Sequence, residues 1–314
     1  GVAEAPAHTR AIFHWSIRTG ARVRRIEHAG GRPGPLLALR HRIADRLVLR
    51  KVRGLFGGRL VLAASGAAPI AKEVLEFFDA CGVLILEGWG MTETSAAGTI
   101  NTETRLRFGT VGRPLPGTEV RVARDGELFV RGPTVFAGYF KDEEATAEVL
   151  DADGWLATGD LAQIDEDGFV SIVGRKKDLI ITSSGKNISP TNIENALKAT
   201  RWISQAVVFG DRRPYLVALL SLDPDEAPKL AERLGIAPDL PAMAHDPRVL
   251  DVIGREVAHV NEQFARIEQI KRFTILERDL TQGAGELTPT LKVKRAIVAE
   301  EFAEEIAALY DRPA

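Results

Sequence analysis

Five consecutive residues, Trp89-Gly90-Met91-Thr92-Glu93, bring together groups that can bind a nucleotide. An aromatic ring can stack on a base, and a glycine lets a ligand come close to the backbone. A threonine hydroxyl can bond a phosphate oxygen, and a carboxylate can hold a Mg²⁺ ion that bridges phosphates. The same residue types also occur in ordinary loops, so the interpretation depends on what the rest of the chain offers.

Three further segments carry polar groups that could complete such a site. Asp160 ends the segment Trp155–Asp160, and we expect its carboxylate to follow a turn and to accept hydrogen bonds from two sugar hydroxyls. Arg175 and Lys177 belong to one short basic cluster. Lys292 lies in the segment TPTLKVKR, after a loop rich in Gly and Pro. A surface lysine is usually only solvated, so Lys292 alone would not indicate a site. It becomes a candidate because it occurs together with the other polar segments.

Several well-known ligand motifs are absent from the sequence. Gly185-Lys186 is followed by Asn187, and Ile180 stands where a phosphate-binding P-loop requires its first glycine. Glu93 stands where a dinucleotide-binding fingerprint requires its third glycine. The six histidines form no HxxxH or HxH pair, and the single cysteine, Cys81, excludes an intrachain disulfide and a cysteine-based zinc cluster.

The Trp89 segment follows a predicted strand–helix–strand unit. Residues 59–66 and 83–90 are apolar runs typical of buried strands, and the residues from Pro69 to Gly82 are typical of a helix. Strands that are joined by a helix run parallel. The loops 65–69 and 88–93 should therefore both lie at the carboxyl edge of one sheet, where ligands bind in α/β folds.

The remainder of the chain predicts an antiparallel lobe and then a small α+β domain. Period-2 alternation between Gly/Pro turns, at residues 118–122, 127–131 and 169–173, predicts a small antiparallel sheet or barrel. The C-terminal part predicts, in order, a helix N-capped by Ser189 and ending near 199, hairpin strands 205–210 and 215–223, a long helix through Ile267, a strand 273–276 and a last helix 294–310.

Composition and charge limit the class of protein. A net charge of −2 over 314 residues argues against a nucleic-acid binder. Because there is one cysteine, no membrane-length apolar run and no signal-peptide core at the start, we expect a cytoplasmic protein. Residues 1–59 carry a net charge of +10 and read as helical. This segment is either a peripheral contact with anionic lipid or a solvated helix face packed on a larger body.

The order and spacing of these motifs, over residues 60–300, resemble the adenylate-forming superfamily of acyl-CoA synthetases, luciferases and peptide-synthetase adenylation domains. TPTLKVKR and the long segment before residue 71 look most like its long-chain fatty acyl-CoA synthetase branch, which commonly lacks the Ser-Gly-Lys form of the lysine motif. The resemblance implies an α/β fold with a small α+β C-terminal domain. We expect the βαβ sheet and β-barrel lobe of the large AMP-binding domain, followed by a mobile lid.

The resemblance also implies roles for individual residues around a nucleotide. Trp89, in place of the usual tyrosine, would stack on adenine between Gly88 and Gly90. Thr92 would bond the α-phosphate or the substrate carboxylate, and Glu93 would bind Mg²⁺. The remaining nucleotide contacts would come from the backbone at Gly66 and Ala67, from Asp160 at the ribose hydroxyls, and from Arg175 at the same sugar.

A two-step reaction is implied for the small domain. Lys292 would bridge the substrate carboxylate and the α-phosphate during adenylation, where a cation offsets the repulsion between two anions. Rotation about a hinge at Lys177 would then withdraw Lys292 and bring the loop Ser184-Gly185-Lys186 toward CoA. The implied ligands are ATP/AMP, Mg²⁺, CoA and a long-chain fatty acid, with no nucleic acid.

The resemblance predicts domain bounds and an incomplete large domain. We expect residues 1–176 to be the C-terminal part of the large domain, with an α/β sublobe over 1–108 and a β sublobe over 109–176, and residues 177–314 to be the lid. The Ser/Thr/Gly-rich phosphate loop of the family is not found. We therefore expect a fragment or a split protein that does not catalyse adenylation alone and that self-associates through exposed surface.

Two other functions remain open from the sequence. A fatty acyl-AMP ligase would pass its acyl group to a carrier protein instead of CoA. A non-catalytic module would keep Trp89, Asp160 and Arg175 for binding AMP or acyl-CoA and form no product.

Overall fold

The computed structural model describes residues 6–68 and 70–311. The chain divides into two compact units, Gly1–Ile172 and Val173–Ala314. The division falls within a few residues of the predicted bound at 176, which stays a prediction.

The first unit opens with helices, as the apolar periodicity of residues 1–59 predicts. They are α1 (Ala7–His28), α2 (Pro35–Ala44), a π-helical turn (Asp45–Leu49) and α3 (Arg50–Gly54). Pro35 occupies the first position of α2, where its fixed φ and missing N–H cost nothing. Buried Ala44, Leu49 and Cys81 form the core beneath these helices.

A parallel strand–helix–strand unit follows, so that prediction is confirmed. Its elements are β1 (Ala63–Ser65), α4 (Lys72–Ala80) and β2 (Ile85–Trp89), with β1 parallel to β2. The sheet continues antiparallel through β3 (Thr99–Ile100) and β4 (Arg113–Pro114). The prediction of a long buried strand over residues 59–66 is wrong. The structure forms only three residues of strand there, at the sheet edge, and Val61 is 84% exposed. Pro69 lies outside the described residues.

The second sheet of this unit is the predicted antiparallel lobe. It consists of β5 (Glu119–Val122), β6 (Glu127–Arg131), β7 (Leu156–Ile164) and β8 (Val170–Arg175), in that spatial order, with α5 (Glu143–Val149) between β6 and β7. The division between the units falls inside β8, after Ile172. Leu128, Val130 and Val170 are fully buried in its core. The expectation that Asp160 follows a turn is wrong, because Asp160 lies within the nine-residue strand β7.

The second unit is an α+β structure built on a three-stranded sheet. After a 3₁₀ turn (Lys176–Asp178) come β9 (Ile180–Ile181), β10 (Asn187–Ile188), α6 (Pro190–Lys198), β11 (Ile203–Phe209) and β12 (Leu216–Leu222). Then follow α7 (Ala227–Leu234), α8 (Leu240–His245), α9 (Pro247–Asn261), β13 (Ile270–Ile275), α10 (Arg295–Glu301) and α11 (Ala303–Asp311). The predicted hairpin is confirmed as antiparallel β11–β12, and β13 lies parallel to β12.

Three details of this unit differ from the prediction. Ser189 precedes α6, but its side chain makes no capping hydrogen bond. The long helix ends at Asn261, because the Asn261 amide holds the backbone N–H and C=O of Ile270 and turns the chain into β13. The last helix is interrupted at Phe302, which leaves helical geometry and is buried in the core with Val298.

Across residues 6–68 and 70–311, no helix combines the length and the apolar character needed to cross a membrane.

Candidate functional site

Trp89 is the last residue of β2, and the backbone turns sharply directly after it. A Cβ at Gly90 would lie 2.4 Å from the carbonyl carbon and oxygen of Ala96, so only glycine fits this close approach. Gly88 is half-buried and lies opposite Ile100 of β3. The strand therefore delivers the tryptophan to the carboxyl edge of the sheet, as predicted for a strand-end loop.

The loop after Gly90 is fixed by its own hydrogen bonds. Residues Thr92–Thr94 form a 3₁₀ turn. The Thr94 hydroxyl accepts the Met91 N–H at 2.9 Å and donates to the Met91 carbonyl at 3.1 Å. Ser95 and Ala96 both have left-handed φ, at 53° and 61°. Strained backbone of this kind persists where the surroundings over-determine it. The Thr92 side chain is exposed.

Glu93 is held by a phenol from the neighbouring lobe. The Tyr139 hydroxyl donates to Glu93 Oε1 at 2.7 Å, and the Phe136 N–H donates to the Glu93 carbonyl at 2.8 Å. The hydrogen bond to Glu93 raises the pKa of Tyr139 above its usual range. Within the described residues, no group of three His, Cys, Asp or Glu side chains gathers as a metal site. A single fixed carboxylate nevertheless fits Mg²⁺, which binds one or two protein carboxylates together with substrate phosphates.

Asp160 reaches its position through a β-bulge. The pairing of β6 with β7 shifts register between Glu127 and Phe129. Gly159 takes a left-handed φ of 69° at this point, and its N–H donates to the Glu127 carboxylate at 3.0 Å. The Thr158 hydroxyl donates to the Leu128 carbonyl at 2.7 Å and accepts the Asp160 N–H at 3.1 Å. Bulges redirect side chains in this way, and Thr-Gly-Asp in a strand is the sequence signal for it.

The two sheets of the first unit meet at Trp89 and Asp160. The Trp89 indole N–H donates to Asp160 Oδ2 at 2.8 Å. Asp160 is 5% exposed, and Trp89 packs against the core of the antiparallel lobe. The structure thus brings together two of the predicted site residues, which lie 71 positions apart in the sequence.

Glu87, two residues before Trp89, is a buried acid that the sequence analysis missed. Its side chain is 8% exposed, and burial raises its pKa to about 7, although a hydrogen bond from the Ile70 backbone opposes this shift. Oε2 of Glu87 has no hydrogen-bond partner in the described part of the chain. A glutamate inside the apolar run LILEGW was the available signal. Gly66 and Ala67, the predicted adenine-contacting backbone, follow β1 and are exposed.

In the second unit, the predicted hinge and CoA-proximal residues lie on the surface. Arg175 ends β8 and is exposed, and Lys177 is exposed in the following 3₁₀ turn. Ser184-Gly185-Lys186 form the exposed turn between β9 and β10. The Thr182 hydroxyl accepts the Lys186 N–H at 3.2 Å and closes this turn.

Lys292 lies on a tight, hydrogen-bonded loop. The Thr288 N–H donates to the Lys292 carbonyl at 2.8 Å, and the Lys292 N–H donates to the Thr288 hydroxyl at 3.0 Å. Leu287 and Val293 pair as an antiparallel bridge below the loop. Leu291 has a left-handed φ of 61° and is 62% exposed. The Lys292 side chain is exposed on this hydrogen-bonded loop.

Two acid–arginine pairs anchor this loop at its ends. Before the loop, Glu286 is completely buried; its carboxylate accepts the Thr281 N–H at 2.7 Å and pairs with Arg278 at 2.8 Å. Burial alone would raise the pKa of Glu286, but these partners outweigh burial and lower it. After the loop, Arg295 binds Glu194 at 2.7 Å. The sequence analysis missed both pairs, because Arg278 and Glu194 lie outside the lysine motif.

Comparison with known proteins identifies the family. The chain matches the profile of an AMP-binding enzyme over residues 25–140 and that of an AMP-binding enzyme C-terminal domain over residues 177–314. It is 45% identical over 284 residues to the long-chain-fatty-acid–CoA ligase FadD15 of Mycobacterium bovis, covering 90% of this chain and 47% of that protein. It is 38% identical over 292 residues to the peroxisomal long chain acyl-CoA synthetase 6 of Arabidopsis thaliana, covering 85% and 41%. The chain therefore spans about half the length, or less, of these relatives.

A solved structure supports the fold. The adenylation domain of a carboxylate reductase from Mycobacterium chelonae superposes with a TM-score of 0.67 at 24% identity, covering 96% of this chain and 46% of that chain. The predicted mixed α/β fold is thereby confirmed. The predicted resemblance is confirmed by the two profiles and the relatives. The two profiles and the two relatives together show that the chain belongs to the family of AMP-binding enzymes.

Proposed function

We propose that the full-length gene product joins a long-chain fatty acid to CoA at the expense of ATP, through an acyl-adenylate. The observation that carries this proposal is the contact between Trp89 and Asp160, beside the loop with Thr92 and Glu93. An aromatic face for a base, a carboxylate for sugar hydroxyls, and a hydroxyl and carboxylate for phosphates are then all supplied by the first unit. The relatives, a long-chain-fatty-acid–CoA ligase and a long chain acyl-CoA synthetase, indicate the substrate class.

In this proposal the first unit binds the nucleotide. Trp89 stacks on adenine, Asp160 accepts from the ribose hydroxyls, and Thr92 bonds the α-phosphate or the fatty-acid carboxylate. The backbone at Gly66 and Ala67 contacts the adenine and the acyl group. Glu93, oriented by Tyr139, holds Mg²⁺, which neutralises phosphate charge when bound.

The second unit supplies the cation for the first reaction step. A fatty-acid carboxylate oxygen attacks the α-phosphorus, a new O–P bond forms, and the bond to the departing pyrophosphate breaks. Lys292 offsets the repulsion between the two anions, and hydrogen bonds and ion pairs anchor the backbone of its loop.

Thioester formation requires a second arrangement of the small domain. In it the CoA sulfur attacks the acyl carbonyl and AMP leaves. We assign the hinge to Lys177, the CoA-proximal turn to Ser184-Gly185-Lys186, and sugar contact to Arg175. We also retain the domain bound at residues 176/177, with 177–314 as the lid.

Replacing Lys292 tests the assignment of the first step. Lys292→Ala in the full-length gene product should lower fatty-acid-dependent ATP–pyrophosphate exchange by about a hundredfold or more, because an unscreened anionic transition state costs several kcal/mol. Lys198→Ala, which removes an exposed lysine from the end of α6, is the matched control and should retain the parental rate. Normal exchange in Lys292→Ala contradicts the assignment.

The identity of the acyl acceptor, and whether pyrophosphate exchange occurs at all, distinguish the proposed ligase from the two other functions. Consumption of free CoA with release of AMP supports the ligase. Transfer of the acyl group only to a carrier protein supports a fatty acyl-AMP ligase. Binding of AMP without any pyrophosphate exchange, by the full-length product, supports a non-catalytic module.

We further propose that the protein works in the cytoplasm, in contact with anionic membrane surfaces through its N-terminal helices. Residues 35–54 form one continuous helical segment with six basic residues and one acid, Asp45. Leu36, Leu39, Ile43 and Leu47 are spaced along it and are 44–64% exposed. Basic charge beside an exposed apolar stripe is the pattern of interfacial helices. Self-association through the same stripe is the competing outcome.

A further inference from the structure

Trp89 offers a hydrogen-bond donor, the indole N–H, in addition to its aromatic face. A tyrosine, the usual residue at this place in the family that the sequence resembles, would carry its polar group at the far end of the ring. The indole instead carries its N–H on the ring edge, and here that N–H is used: it donates to Asp160 Oδ2 at 2.8 Å. The contact lies where Asp160 is 5% exposed, so water competes little for it.

The backbone around Asp160 is also held in place. The bulge at Gly159 sets the direction of the Asp160 side chain, and the Thr158 hydroxyl holds the Asp160 N–H at 3.1 Å. What the backbone does not fix is the rotation of the carboxylate about its own axis. The charge-assisted hydrogen bond from Trp89 restrains that rotation.

We propose that Trp89 is a positioning residue for Asp160, so that one side chain sets both the base stack and the orientation of the sugar-binding carboxylate. This inference rests on the proposed function, which assigns Asp160 to the ribose. It adds that ribose recognition depends on the indole N–H. A carboxylate with one oxygen bonded to Trp89 is restrained before the nucleotide arrives, which lowers the ordering cost of binding.

The proposal is tested by the preference for ribose over deoxyribose. The KM for ATP and the KM for 2′-deoxyATP and 3′-deoxyATP are measured by pyrophosphate exchange with the full-length gene product. All three nucleotides carry the same base, so a change in stacking moves every KM by the same factor. Trp89→Phe retains an aromatic face but lacks the N–H, and it should reduce the preference for ATP by about fivefold or more.

Two variants complete the design. Trp155→Phe is the matched control, because Trp155 stacks on Arg121 and Arg131 elsewhere in the same unit, and the preference should be unchanged. Trp89→Tyr replaces Trp89→Phe if the latter does not fold, as judged by circular dichroism, and should reduce the preference in the same way. Equal rises in all three KM values for either Trp89 variant overturn the positioning role and leave the proposed function intact.

Asp160→Asn separates failure of this inference from failure of the proposed function. If Asp160 binds the ribose, Asp160→Asn lowers the preference for ATP in the parental background. An unchanged preference in Asp160→Asn overturns the sugar assignment itself, and the positioning role with it.

Discussion

Glu87 is the residue with the clearest dependence on pH. Burial raises its pKa to about 7 from 4.5, so between these values the folded chain keeps a proton that the unfolded chain has released. The free energy of unfolding therefore falls as pH rises through this window, by on the order of 1 to 3 kcal/mol, and is constant above it. Stability from this group is complete below about pH 4.5 and lost above about pH 7.

Glu87→Gln should remove this dependence, because an amide of the same shape keeps an acceptor for the Ile70 N–H and never ionises. Urea unfolding followed by tryptophan fluorescence should show the variant to be more stable than the parent at pH 8, with little difference at pH 5. Glu76→Gln, an exposed carboxylate on α4, controls for the loss of one acid. A stability difference between Glu87→Gln and the parent that is the same at both pH values contradicts a buried, protonated Glu87.

Single residues also mark what the sequence could and could not predict. Trp89, Thr92 and Glu93 could be proposed as site residues from the sequence, because groups suited to binding a nucleotide fall within five residues. The Trp89–Asp160 contact was not, since nothing local relates positions 71 residues apart. Leu291 shows the same limit: its φ of 61° is one that glycine adopts freely, as in the Ser-Gly-Lys form of the motif, and a leucine gives no sign of it.

Elements were predictable where periodicity and turn residues agree, as for β2, the β11–β12 hairpin and the N-terminal helices. The predictions were wrong where tertiary contacts determine the secondary structure. Asp160 was predicted to follow a turn, whereas it lies inside strand β7, directly after a bulge at Gly159. Residues 59–62 are apolar enough for a buried strand, but among the described residues of this run only Ala63–Ser65 pair with β2.

The helical segment of residues 35–54 is predicted to bind anionic membranes through its exposed apolar residues. Replacing Leu39 and Ile43, which are 52% and 47% exposed, by serine should lower binding to phosphatidylcholine vesicles that contain phosphatidylglycerol by about tenfold. Binding of the parent should also fall with added salt, because screening weakens attraction between the arginines and the anionic surface.

Replacing Ile181 and Ile267, two similarly exposed residues of the second unit, by serine is the matched control and should leave vesicle binding unchanged. Parental binding to vesicles without anionic lipid, or none to either kind, contradicts the membrane contact. Self-association would be identified instead if the molar mass of the parent in solution rises with protein concentration while the Leu39/Ile43 variant stays a monomer.

At the scale of the whole molecule, each apolar core belongs to one unit. The clusters around Leu220 and around Leu219 draw all their buried residues from positions 180–302, and those around Leu128 and Leu49 from positions 44–170. A unit that encloses its own core can fold by itself. Residues 173–314 expressed alone should therefore unfold in one cooperative transition.

Leu220→Ala makes this expectation quantitative. Leu220 is 1% exposed in the central strand β12, so its truncation leaves a cavity and should cost about 3 kcal/mol. If the second unit is independent, the loss measured by denaturation is the same in residues 173–314 as in the whole chain, because no contact across units contributes to it. Ile267→Ala, at a 42% exposed position, should cost little in either. A loss that differs by more than about 1 kcal/mol between the two backgrounds would show that the units stabilise each other. The lid role proposed for residues 177–314 would then have to include breaking that contact at every turnover.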